Sequence, residues 1–107
     1  MKGEPLKGHL DLLILSAVRS EPRHGYAIIE SLRLRSRGVF DLAEGTIYPA
    51  LHRLERAGLL ASRWSEHDGR RRRVYRLTAR GRAALLNQAE QWTIFSRAIG
   101  AVVGGTG

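Results

Sequence analysis

The Asp68-Gly69 pair does most to limit what this chain can become. It separates two short β-prone runs, "LLASRWS" before it and "RRVYRLT" after it. A two-residue Asp-Gly loop favours the tight turn whose twist matches a β-hairpin. The other segments are patterned for helices, three ahead of the ribbon and one behind it.

The first, "LDLLILSAV" from Leu10 to Val18, is apolar all round. A run of this length suits either a buried strand or a buried helix. Leu, Ala and Ser outnumber β-branched residues and the pattern extends back to Leu6, so a helix is expected. Ser20-Glu21-Pro22 ends it, because proline forces its predecessor out of the helical region. A second helix is expected from about Gly25 to Arg35, with Leu32 and either Tyr26 and Ile29 or Ile28 turned inward. Gly38 closes it, and "VFDL" reads as a short extended link.

The third helical segment is "EGTIYPALHRLERAGLL", Glu44 to Leu60. Ile47, Ala50, Leu51 and Leu54 form an inner stripe, and Gly58 stops the helix. The opposite side carries Tyr48, Pro49, His52, Arg53 and Arg56. Proline is tolerated in a first turn, where its missing N–H has no intrahelical acceptor. If Thr46 caps the helix, Pro49 falls in that turn. If the helix begins near Glu44, the ring presses on the Gly45 carbonyl and bends the first turn. In both cases Pro49 marks the helix start. Beyond the ribbon, Thr78 is placed to cap a long last helix over residues 79–103, and the tail 104–107, "GGTG", is expected to fray.

The order helix, helix, helix, hairpin, helix is the layout of a winged helix-turn-helix, mainly α with a small β-hairpin. In that layout the start of the third helix enters the DNA major groove. Tyr48 then has a reason to face outward, since it can touch a sugar, a phosphate or a thymine methyl. The competing account makes Tyr48 an aromatic cap packed on the wing.

Charge points the same way. The net charge is +8, from 18 Lys and Arg against 10 acids, and sixteen of the cations are arginine. A GC-rich coding sequence is the bland source of that bias. Position says more: Arg70, Arg71, Arg72 and Arg73 stand consecutively beside Gly69. Such a concentration suits a polyanion, most simply double-stranded DNA, with a membrane surface as competitor. The arginine fork suits phosphates and narrow minor grooves. Side chains alternate on a strand, so about half of the four can reach one DNA surface. The alternative is a solvated run pairing with Glu66 or Asp68. Tyr75 and Leu77 share a face and are expected to pack on the helices.

Along the last helix Leu85, Trp92 and Ile99 recur every seven residues, with Phe95 and Val102 at the complementary offset. This coiled-coil-like seam is interrupted by Gln88 and needs a partner. A two-fold dimer supplies one and spaces two recognition helices for a palindrome, about 34 Å apart. The lesser alternative folds the seam back onto Leu12 to Leu15 of the same chain. Trp92 is an interface anchor, or it lines an aromatic-walled cavity for a flat ligand.

Several classes fall away. There is no cysteine, hence no disulfide or thiolate metal site, and the four histidines lie apart without ligand spacing. Ser16, Ser20 and Ser31 lack a nucleophile context, so no enzyme and no cofactor is expected. The longest uncharged apolar run, Leu12 to Val18, is too short to span a bilayer, and the first residues lack a cleavage-site pattern. A cytoplasmic, nucleoid-associated protein with no membrane partner is expected.

Four stretches carry a resemblance: "KGHLDLLIL", "PRHGYAIIESL", "EGTIYPALHRLERAGLL" and "RRRVYRLTARGRAAL". Together they resemble PadR-type transcriptional regulators over most of the chain, in the right order, and in the short subtype with a single C-terminal helix. The resemblance implies a homodimeric winged-helix regulator, usually a repressor, on a palindromic operator. It carries over Tyr48 and its helix neighbours Thr46, Pro49, His52, Arg53 and Arg56 as operator contacts, and the residues around Gly69 as the wing. It also implies a small aromatic effector at the subunit seam, bordered by Leu12, Leu15, Leu85, Trp92, Phe95, Ile99 and Val102. One departure is visible: the end, "AIGAVVGGTG", is short and poor in polar residues. The division expected is a DNA-binding unit over 1–78 and a dimerisation helix over 79–103. The rival is a winged-helix module that docks another protein without specific DNA binding, its wing merely solubilising.

Overall fold

The computed structural model describes residues 8–104. In chain order the elements are α1 (Leu10–Ala17), β1 (Arg23–His24), α2 (Gly25–Arg35), α3 (Glu44–Arg56), β2 (Leu60–His67), β3 (Arg70–Leu77) and α4 (Ala79–Val103). The expected architecture is present, mainly helical with a small antiparallel sheet. Leu6 and Lys7, to which the pattern of the first helix reaches back, lie outside the described residues, as does all of the tail beyond Gly104.

The hairpin forms as its turn demands. Asp68 and Gly69 both take positive φ, 52° and 74°, and close a two-residue loop between His67 and Arg70. One pairing goes beyond the expected ribbon. Arg23 and His24 pair with Tyr75 and Val74, giving a three-stranded sheet in the order β1-β3-β2. Two residues carry no periodicity, so this strand leaves no sequence signal. His24 also caps α2, accepting from the Ala27 N–H at 3.2 Å.

Helix α3 starts at Glu44, with Ala43 extended as its N-cap and Thr46 already inside the helix. Pro49 therefore lies past the first turn, and the Gly45 carbonyl loses its usual donor four residues on. Gly45 is exposed, with open space where a Cβ would stand, so the loss falls where water can compensate. At the other end Gly58, with φ 80°, turns the chain while Leu59 N–H bonds the Leu54 carbonyl and Gly58 N–H that of Glu55. This paired closure satisfies two carbonyls that a helix end leaves without partners.

Thr78 joins the sheet to α4. Its hydroxyl donates to the Gly58 carbonyl at 2.6 Å and accepts from the Gly81 N–H at 3.0 Å. Gly81 is buried against the Leu59 carbonyl, where a Cβ would overlap backbone.

The core collects Ile14 and Leu15, Ile28 and Leu32, Ile47, Leu51 and Leu54, with Leu60, Tyr75 and Leu77 from the sheet. Of α4 only Gly81 and Leu85 are buried. Past Leu85 the helix runs on beyond the core, consistent with overall dimensions of 58 × 28 × 21 Å. Among the described residues no helix is long and apolar enough to cross a membrane.

Candidate nucleic-acid interface

The outer flank of α3 is open. Thr46, Pro49, His52, Arg53 and Arg56 are all exposed, while Ile47, Ala50, Leu51 and Leu54 are buried on the other side. Tyr48 sits between the two. It is half-buried against the core, and its ring covers Gly25 so closely that a Cβ there would come within 2.5 Å of the ring. It meets the Tyr26 ring edge-on at 6.5 Å between centroids. Tyr48 is thus neither fully outward nor a cap on the wing alone. It packs on its own domain and lines the cleft toward the hairpin. Burial, then the Glu44 carboxylate, push its hydroxyl above the ordinary tyrosine range. Tyr26 is raised too, first by a hydrogen bond to Glu44.

Arg53 is engaged within the chain. Its guanidinium grips Asp11 of α1 with two bonds, Nη1 to Oδ2 at 3.1 Å and Nη2 to Oδ1 at 2.5 Å. That contact raises the arginine's already high pKa and ties α3 to the first turn of α1.

The hairpin divides its arginines by face. In the register, Arg73 stands opposite Trp64 and Arg71 opposite Glu66, two positions apart on one side of the ribbon. Arg70 and Arg72 belong to the other side, and Arg72 Nη1 lies 2.9 Å from His24 Nε2. The exposed Trp64 indole has the Arg71 and Arg73 guanidinium carbons 4.8 and 5.1 Å from its ring centroid. Arg73 Nε donates to Ser62 Oγ at 2.7 Å, and that hydroxyl donates to Glu55 Oε2 of α3 at 2.6 Å. Between α3 and the hairpin runs a cleft of about 500 Å³ bordered by Tyr48, His52, Trp64 and the four arginines.

Sequence reasoning placed the arginines and the α3 flank but passed over Trp64, Ser62, Glu55 and Asp11. The first two were within reach. Once Asp68-Gly69 fixes the turn, counting outward sets Trp64 opposite Arg73 and Ser62 opposite Tyr75. Asp11 and Glu55 owe their roles to tertiary packing and have no local signal.

The seam expected on α4 divides as well. Trp92, Phe95, Ile99 and Val102 are exposed, whereas Leu15 and Leu85 are taken up by the chain's own core and Leu12 packs half-buried against it. His9 meets the Trp92 ring edge-on at 5.1 Å.

Three helices, with the third presenting a cation-bearing flank beside an arginine-rich hairpin, define a winged helix-turn-helix of the transcription-regulator class. Residues 14–87 match the Transcriptional regulator PadR-like family. Transcriptional regulator Rv3488 of Mycobacterium tuberculosis is 47% identical over 74 residues, covering 69% of this chain and 66% of that protein. A transcriptional regulator from Clostridium thermocellum has a similar solved structure, with TM-score 0.84 and 28% identity over 92% of this chain and 97% of that one. A PadR family transcription regulator from hypervirulent Clostridium difficile R20291 gives TM-score 0.79 and 33% identity, covering 90% and 99%. The chain belongs to the PadR-like family of transcriptional regulators. It is a regulator and not an enzyme.

Proposed function

We propose that the protein is a homodimeric repressor that occupies a palindromic operator. Residues 1–78 act as the DNA-binding unit and residues 79–103 as the dimerisation helix. The observation that carries this is the open flank of α3 beside the arginine hairpin, in a chain of this family. Thr46, Tyr48, Pro49, His52 and Arg56 face the major groove. Gly69 and Arg70 to Arg73 form the wing, of which Arg71 and Arg73, on the face linked to α3, meet the flanking backbone. Arg53 joins them by exchanging Asp11 for DNA. The exposed stripe of Trp92, Phe95, Ile99 and Val102 supports self-association, because an apolar row past the core gains from a partner. The protein acts in the cytoplasm, on the nucleoid.

The test is capture and sequencing of genomic DNA bound to the protein. A discrete set of sites with inverted repeats is expected, one of them beside its own coding region. Uniform coverage would overturn sequence-specific regulation and favour a protein-docking module.

A second reading, release by a small flat aromatic effector, draws support from two clefts flanking Trp92. One, about 390 Å³, is bordered by His9, Leu12 and Phe95, and the other, about 410 Å³, by Leu13, Phe40 and Thr93. A compound bound there would change the separation of two α3 helices only by favouring one arrangement of the dimer over another.

A further inference from the structure

We propose that Trp64 is a positioning residue that holds Arg71 and Arg73 as a preformed seat for a phosphodiester of the DNA backbone. The proposal rests on the reading that the hairpin meets DNA. Trp64 lies on β2, an edge strand, and is 55% exposed, so the core does not account for it. Exposure alone would need no explanation, but this indole has two cations on it.

The register supplies the partners. Trp64 pairs directly with Arg73, and Arg71 follows on the same face, both guanidinium carbons lying within cation–π range of the ring. Arg73 is held a second time through Ser62, itself anchored to Glu55 of α3. This Arg73–Ser62–Glu55 relay fixes the hairpin's arginine to the helix that reads the bases. Its Nε is committed inward, which leaves the terminal nitrogens to donate to an incoming oxygen. His52 and Arg56 border the same groove from α3, where the Glu55 carboxylate accepts from Ser62, while Glu66 stands across the ribbon from Arg71.

The physical gain is preorganisation. An arginine unrestrained in water gives up rotamer freedom when it docks, and a side chain already held gives up less. With α3 in a major groove and the hairpin beside it, as proposed above, the backbone that borders that groove passes between them. Two forks fixed 4.8 and 5.1 Å from one ring suit adjacent oxygens of that backbone.

The experiment measures binding of the full chain to a random-sequence duplex of about two helical turns across a salt series, since phosphate contacts are sequence-independent. Trp64→Leu is expected to weaken binding roughly tenfold at moderate salt, by loss of two cation–π contacts. The slope of log affinity against log salt is expected to flatten by about 1 to 2, one to two phosphates' worth. Trp64→Phe keeps a π face and is expected to recover most of both. Ser62→Ala releases only Arg73 and is expected to flatten the slope by about 1.

A parental slope in Trp64→Leu, with or without weaker binding, overturns the proposal, because a purely structural tryptophan would not change the number of phosphates engaged. Should Trp64→Leu fail to fold, Ser62→Ala decides, and a parental slope there overturns the seat. The Arg71→Ala/Arg73→Ala double variant separates the two readings. A parental slope in that variant removes the wing–DNA reading itself, while a flattened one beside an unaffected Trp64→Leu removes only the role of Trp64.

Discussion

Arg53 stands on the flank of α3 that faces solvent, yet its fork is closed on Asp11. The pair is exposed, with 53% and 31% of the two side chains accessible, so it contributes no more than about 1 kcal/mol to stability. On the proposed reading that α3 meets DNA, its larger effect is on binding, because a guanidinium holding a carboxylate must release it before it can hold a phosphate or a base. Asp11→Asn keeps the shape and removes the competing charge. It is expected to raise affinity for DNA several-fold at low salt and steepen the salt slope by about 1, with the melting temperature nearly unchanged. Weaker binding in that variant would mean that Asp11 aims Arg53 at DNA instead of restraining it.

Tyr75 carries a pH consequence at the same scale. Burial first, then the Glu55 carboxylate, raise its hydroxyl pKa. A group raised on folding favours the protonated, native state, so its contribution is complete below the unfolded value near 10 and is lost as pH climbs through the folded value. Tyr48 and Tyr26 are shifted the same way, for causes of their own. Thermal melts are expected to fall off above about pH 10, and to fall less steeply in Tyr75→Phe.

At the scale of elements, what could be read ahead of the structure depended on local chemistry. The hairpin followed from Asp68-Gly69, the last helix from Thr78, and α3 from the stripe Ile47, Ala50, Leu51 and Leu54. Strand β1 could not be read, because a two-residue strand exists only through Tyr75 and Val74 across the sheet. The cap of α3 was also hidden. Ala43 has no side-chain acceptor, and the extended link before it sets the helix start. The junction of β3 with α4 is the element boundary most sensitive to one atom. A methyl at Gly81 meets the Leu59 carbonyl, which is backbone already bonded to Thr78 N–H at 3.2 Å. It cannot swing aside as a side chain would. Gly81→Ala is expected to cost about 1–3 kcal/mol as an overpacked contact. In a domain of this size that is a drop of about 4–8 °C in melting temperature per kcal/mol, readable by circular dichroism. An unchanged midpoint would show that α4 can slide along the sheet without loss.

The whole molecule poses the problem of α4. Its 25 residues extend about 37 Å at the helical rise, yet burial stops at Leu85. Trp92, Phe95, Ile99 and Val102 remain between 44% and 81% exposed along its distal part. Beyond the edge-on contact of Trp92 with His9, a helix of such composition gains little from its own hydrogen bonds, since helical stability in proteins comes mainly from packing an apolar face. Two copies crossing there would bury both rows and fix the distance between two α3 helices. Phe95→Asp paired with Ile99→Asp puts charge into that row without touching the core, because neither residue belongs to it. Sedimentation is expected to report two chains for the parent and one for this double variant. On a palindromic site its affinity is expected to drop by 10²–10⁴, roughly what tethering two modest binding events confers. The salt slope on a single half-site is expected to stay that of the parent, since each wing and each α3 is intact. A variant that sediments with the parent would place the partner surface elsewhere and leave this apolar row for another protein.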